Sequence, residues 1–148
     1  MLSNKAKYAI KALLRLADER GGEPMRISDL AREEQIPAKF LESILLGLKN
    51  NGILQSRKGK GGGYYLARDP RQIYLGQIVR MFDGPLAPVP CASQTAYVRC
   101  ADCRNEAVCG VRLAMKEVRD ATARILDGTS LASLRRKVDR LTPPARTR

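Results

Sequence analysis

The sequence predicts a mainly α-helical fold with one small β-hairpin, and three observations carry that prediction. Apolar residues recur at helical spacing through most of the chain. The stretch from Ile53 to Leu66 reads instead as two short strands around a glycine-rich turn. A later run, Val108, Val111, Met115, Val118, Thr122 and Ile125, advances in alternating steps of three and four, a heptad seam that suits a helix pairing across a dimer or packed as a core helix within the chain. With 148 residues, 44% of them hydrophobic, the chain suits one domain or one domain with an appendage.

The elements follow in order. Residues 4–19 form a first helix, with Ala6, Ala9, Leu13, Leu16 and Ala17 on one face and Gly21-Gly22 as its stop. A short second helix starts with Ser28 as N-cap before Asp29-Leu30-Ala31 and ends before Pro37. Pro37 suits the first turn of a third helix, striped by Phe40, Leu41, Ile44, Leu45 and Leu48 and closed by Asn50-Asn51-Gly52. Two short helices joined by a tight turn make a helix-turn-helix. Ile53-Leu54-Gln55-Ser56 and Tyr64-Tyr65-Leu66 then pair around Arg57-Lys58-Gly59-Lys60-Gly61-Gly62-Gly63. The charged residues from Ser43 to Arg68 are Lys49, Arg57, Lys58, Lys60 and Arg68, all basic. A basic, glycine-rich hairpin directly after a helix-turn-helix is a wing, suited to phosphates or to the narrow groove of a duplex. Asp69-Pro70 closes it, and Ile73 to Phe82 form a fourth helix ended by Asp83-Gly84-Pro85. The seam helix runs to Gly128, and Leu131 to Leu141 form a short basic helix. The tail, residues 142–148, is expected to be disordered.

Charge and missing residues set the function classes. Lys and Arg number 27 against 15 Asp and Glu, a net charge of +12, which calls for a polyanionic partner, nucleic acid first and an anionic membrane surface second. The chain has no histidine, which removes Ser-His-Asp and Cys-His nucleophilic sites, His acid–base chemistry and His-ligated metals. Gly59-Lys60-Gly61 lacks the Ser or Thr that follows Lys in a phosphate-binding loop, and Tyr64 breaks the dinucleotide glycine spacing. An enzyme is therefore not expected. No run of about 18 apolar residues exists to span a bilayer. The amphipathic N-terminus does not read as a signal peptide, so a cytoplasmic protein is expected.

The cysteines are clustered as Cys91-x8-Cys100-x2-Cys103-x5-Cys109. Cys100 and Cys103 can form a knuckle with both thiolates facing one metal, and Cys109 opens the seam helix, whose positive end favours a thiolate. Arg99, Arg104 and Arg112 flank the group and should lower thiol pKa values further. Four thiolates suit an iron–sulfur cluster, zinc, or a redox switch that forms a disulfide. A single C-x-x-C counts against a standard zinc ribbon, and the residues alone do not choose among these.

Taken together, Lys7-Tyr8-Ala9-Ile10, Phe40-Leu41-Glu42-Ser43-Ile44-Leu45 and the wing Ser56-Arg57-Lys58-Gly59-Lys60-Gly61-Gly62-Gly63-Tyr64-Tyr65-Leu66-Ala67, followed by a cysteine loop, resemble the bacterial Rrf-type winged-helix regulators typified by IscR, NsrR and RirA. The resemblance runs from Ser3 to about Leu131. It implies a winged helix-turn-helix plus a long C-terminal dimerisation helix, with residues 1–83 binding DNA, 84–107 holding the cluster, and 108–141 dimerising and ending the fold. It implies a homodimeric transcription regulator, a repressor by expectation, reporting iron, redox state or nitric oxide through a [2Fe–2S] or [4Fe–4S] cluster. Cys91, Cys100, Cys103 and Cys109 would be the ligands, and Asp102 or Glu106 the fallback. The family's Arg in the wing is Lys58 here, a charge without the planar fork. The positions where other members place a histidine or carboxylate ligand hold Arg112 and Lys7.

Ala38, Lys39, Glu42 and Ser43 would face the major groove, where Glu42 can accept from cytosine N4. Arg57, Lys58, Gly59 and Lys60 would reach the minor groove or its phosphates, and Val108, Val111, Met115, Val118, Thr122 and Ile125 would pair two subunits on a near-palindromic operator. The alternatives are a DNA-binding regulator whose cysteines hold zinc or switch by thiol oxidation, and a basic RNA-associated protein.

Overall fold

The computed structural model describes residues 1–18 and 22–143. Among them the chain forms six α-helices and one antiparallel hairpin: α1 (Asn4–Asp18), α2 (Ile27–Glu34), α3 (Ala38–Asn50), β1 (Leu54–Arg57), β2 (Gly63–Leu66), α4 (Leu75–Asp83), α5 (Gly110–Asp127) and α6 (Leu131–Leu141). Gly21 of the expected stop after α1 and positions 144–148 of the expected tail lie outside the described residues.

α1 is the hub, packed on α2, α3, α4, α6 and the hairpin. Its Ala6, Ala9 and Ala12 are fully buried, and these small side chains let several elements approach one helix. Ser3 caps it: the Ser3 Oγ accepts from the Ala6 N–H at 3.1 Å. The Ser3 N–H donates to Asp83 at the end of α4 at 2.9 Å, and its hydroxyl donates to the second Asp83 carboxylate oxygen. The start of α1 is thereby tied to the end of α4.

The expected cap of α2 is corrected. Arg26, in extended conformation, stands at the N-cap with no side-chain bond, and Ser28 lies inside the helix. At the other end Gln35 takes the left-handed conformation, φ 55°, and Ile36 is buried at once after it. Pro37 is the N-cap of α3 rather than a residue of its first turn. The α3 stripe is as expected: Leu41, Ile44, Leu45 and Leu48 have no exposure, and Phe40 meets Tyr8 edge to face at 5.6 Å. Gly52, φ 72°, turns the chain into the hairpin.

β1 and β2 pair Leu54 with Leu66 and Arg57 with Gly63. A third segment joins them, because Met25 and Tyr64 exchange backbone hydrogen bonds, both 2.8 Å. The wing therefore rests on the chain entering α2. Gly63 is required there: its φ is 146°, and a Cβ would lie 2.2 Å from the Met25 carbonyl oxygen.

The expected start of the fourth helix at Ile73 is corrected: α4 begins at Leu75. Ile73 is extended and fully buried, and its carbonyl accepts from the Leu131 N–H at 2.8 Å. This pairing, with Leu75 N–H donating to Thr129 at 3.0 Å, docks α6 on the N-terminal helices. α5 is different, since none of its residues is buried. No helix among the described residues is long and apolar enough to cross a membrane.

Candidate DNA-reading surface and cysteine pocket

One face of α3 is left to solvent. Ala38, Lys39, Glu42 and Ser43 are exposed on it, and so are Leu46 and Lys49. The Ser43 hydroxyl donates to the Phe40 carbonyl at 2.9 Å, which fixes its rotamer. Lys49 Nζ reaches Ser56 Oγ on β1 at 2.8 Å, so the face continues into the base of the wing. Arg57, Lys58, Gly59 and Lys60 are exposed along the wing. The Arg57 guanidinium lies 5.8 Å from the Tyr65 ring, which stiffens the side chain at the wing's base. The turn at the tip is closed by Gly62 N–H donating to Gly59 at 3.0 Å.

The residues expected to pair two subunits differ in exposure along α5. Val111, Val118 and Ile125 are exposed and Met115 and Thr122 half-buried. Val108 is corrected: it is 74% exposed but belongs to a short 3-10 turn, Glu106–Val108, ahead of the helix.

The four cysteines share one cavity of about 440 Å³, walled by Val89, Val108 and Val111 and bordered by Asp102, Arg104, Asn105 and Arg112. Cys91 is buried in a 3-10 turn, Cys100 is exposed, and Cys103 and Cys109 are half-buried. Cys109 is the N-cap of α5, as the sequence placed it. The Cys103 N–H donates to the Cys100 carbonyl at 3.3 Å, closing the knuckle turn.

Among the described residues, no three Cys, Asp or Glu side chains converge on a point that a single ion would occupy. One expectation fails in this pocket. The arginines do not lower the Cys100 thiol. The hydrogen bond from Cys100 Sγ to Cys91 Sγ, 3.7 Å, pushes its pKa up, and the nearby Cys91 charge and desolvation add to the rise. The guanidiniums serve carbonyls instead: Arg112 Nε donates to Cys91 O at 2.9 Å and Arg99 Nη2 to Cys103 O at 3.2 Å. Arg119, two turns along α5 from Arg112, donates to the Ala92 carbonyl. Of the fallback ligands, Glu106 accepts from the Tyr97 hydroxyl, while Asp102 borders the cavity.

A polynuclear cluster asks for thiolates spread around a cage rather than meeting at a point. Four thiols on one cavity of that size, without a competing histidine, fit such a group in donor chemistry and room.

The match to known proteins covers this whole arrangement. Residues 2–137 match the Rrf2 family, described as iron-dependent transcriptional regulators. The chain belongs to the Rrf2 family. An rrf2-like HTH-type transcriptional regulator of Rhodobacter capsulatus is 42% identical over 137 residues, 90% of this chain and 91% of that one. Among solved structures, CymR of B. subtilis, titled the global cysteine regulator, superposes with a TM-score of 0.77 at 28% identity, covering 93% of this chain and 97% of that one. IscR of T. potens shares the fold, with a TM-score of 0.74 at 22% identity over 100% of this chain and 93% of that one. This Rrf2 protein is thus a winged-helix, DNA-binding transcriptional regulator.

The residues that sequence reasoning missed are Leu46, Lys49 and Arg119. A helical wheel drawn from Lys39 would have placed the first two. The reach of Arg119 to Ala92 O crosses 27 residues and leaves no local signal.

Proposed function

We propose that this Rrf2 protein acts as a homodimer that reads a near-palindromic operator and changes its hold on DNA with the state of an iron–sulfur cluster in the cysteine pocket. The carrying observation is the gathering of all four cysteines on one cavity at the foot of α5. No residue of the helix above that cavity is fully buried within its own chain, and Val111, Val118 and Ile125 are exposed on it, which supports its pairing with a second copy. Ala38, Lys39, Glu42 and Ser43 would enter the major groove, and Arg57, Lys58, Gly59 and Lys60 would grip the adjacent backbone or minor groove. Residues 1–83 would be the DNA-binding part, 84–107 the sensor loop, and 108–141 the dimerising part. Repression is the simplest output, since an operator-bound dimer excludes polymerase. The iron-dependent description of the family supports the sensor reading.

The test is the visible spectrum, with iron and sulfide assay, of protein purified without oxygen, followed by operator affinity with and without the cluster. Broad absorption near ~400 nm, as expected for thiolate-bound iron–sulfur centres, should be lost in Cys91→Ala and Cys109→Ala. Equal affinities of the two forms would remove the sensor role and leave DNA binding.

The 3.7 Å separation of Cys91 and Cys100 sulfurs favours a second reading, a thiol switch. Hydrogen peroxide would take two electrons and two protons from the two thiols, forming one S–S bond and two waters. Colourless protein that loses two titratable thiols on peroxide treatment would select this reading over the cluster.

A further inference from the structure

Leu46 occupies the middle of the outward face of α3. Its neighbours Leu45 and Leu48 have no exposure, whereas Leu46 is 51% exposed. At about 100° per residue it stands roughly 20° around the axis from Lys39, between Glu42 and Ser43. Isolated surface leucines are common and carry no message by themselves. This one is ringed by Lys39, Glu42, Ser43 and Lys49 on a face otherwise free of large apolar groups. Lys49 is held toward the wing by Ser56, and the Ser43 hydroxyl is turned back on Phe40 O, so neither side chain covers Leu46.

Resting on the reading of α3 as the helix that enters the major groove, we propose that Leu46 is a specificity-determining residue that packs on the C5-methyl of a thymine. The occupant follows from the chemistry of the groove floor. The base edges there are hydrogen-bond donors and acceptors, except for the thymine methyl, which is the apolar group a leucine can cover. Set against a guanine or cytosine edge, Leu46 would strip water from polar groups and return no hydrogen bond. The flanking Lys39 and Lys49, and the wing cations beyond them, supply the charge that brings a polyanion to this face.

The experiment uses the full chain. A duplex is enriched from a random library, and each thymine in it is replaced in turn by deoxyuridine, which removes the methyl and nothing else. One symmetric thymine position should respond, with wild-type affinity falling about four-fold per half-site, the transfer free energy of one methyl-sized group. Leu46→Ala should bind the thymine duplex more weakly and no longer distinguish it from the uracil duplex. Leu46→Met, which keeps an apolar contact, should still distinguish them. Equal thymine-to-uracil ratios for wild type and Leu46→Ala would overturn the assignment while leaving α3 as the reading helix. Failure to enrich any duplex would overturn that reading and this assignment with it.

Discussion

Replacing Gly63 by alanine tests whether the wing is held by backbone contact at its base. An added Cβ would lie 2.2 Å from the Met25 carbonyl oxygen and 2.8 Å from the Arg26 nitrogen. Both are backbone atoms, so relief requires the wing and the segment entering α2 to separate. Separation breaks the two Met25–Tyr64 hydrogen bonds, each 2.8 Å. Two backbone bonds at about 1 kcal/mol net, with about 1–3 kcal/mol for an alanine at φ > 0, give a loss of roughly 3–5 kcal/mol.

Gly59 is the internal control. Its φ is 89° and a Cβ there meets nothing within 4 Å, so Gly59→Ala carries the conformational cost alone. Urea unfolding at one fixed protein concentration, which holds any association term constant, should place Gly63→Ala about 2 kcal/mol below Gly59→Ala. Gly63→Ala should also bind duplex DNA less tightly, because its wing is displaced. Equal stabilities of the two variants, within about 0.5 kcal/mol, would refute the close-approach argument.

Three further outcomes are expected. Lys58→Ala should weaken duplex binding across sequences and lower the salt slope by about one, measured by titration at several salt concentrations, if its partner is a phosphate. Arg80 donates to both Asp127 carboxylate oxygens, at 2.6 and 2.9 Å, and this holds the Asp127 carboxyl below its ordinary pKa. Because the folded value is the lower one, the stabilisation is present above the unfolded value near ~4 and is lost as pH falls. The side chains are 40% and 47% exposed, so Asp127→Asn should cost only about 0.2–1 kcal/mol at neutral pH and nothing in strong acid, read from urea midpoints across a pH series. Arg119→Ala should free the Ala92 carbonyl and expose Cys91, so that metal-free protein is alkylated faster at Cys91, as followed by mass spectrometry.

The helix-turn-helix and wing were legible because their signals are local. The α3 stripe repeats every three to four residues, Gly52 ends it, and the glycines of the wing stand beside its cations. What escaped was set by distant partners. Ile73 fits a helical pattern, yet its carbonyl is claimed by Leu131, and so it stays extended. Ser28 resembles a cap, but the extended residue before the helix is Arg26. In the pocket, chain proximity of Arg99, Arg104 and Arg112 to the cysteines suggested charge stabilisation of thiolates. Rotamer direction decided otherwise, sending Arg99 and Arg112 to carbonyls and leaving Cys100 raised by its neighbour Cys91.

The spacing of Arg112 and Arg119 has a mechanical consequence. Seven residues make nearly two turns, so both guanidiniums leave α5 on one side and grip adjacent carbonyls, those of Cys91 and Ala92. Two anchors resist rotation where one would act as a pivot. The Cys91 turn is therefore joined to α5 at two points, and the far end of α5 is tied to α4 through the ion pair of Asp127 and Arg80. Asp83, at the end of α4, holds Ser3 at the start of α1, the helix on which α3 sits, so an unbroken series of polar ties runs from the cysteine turn to the reading helix's support.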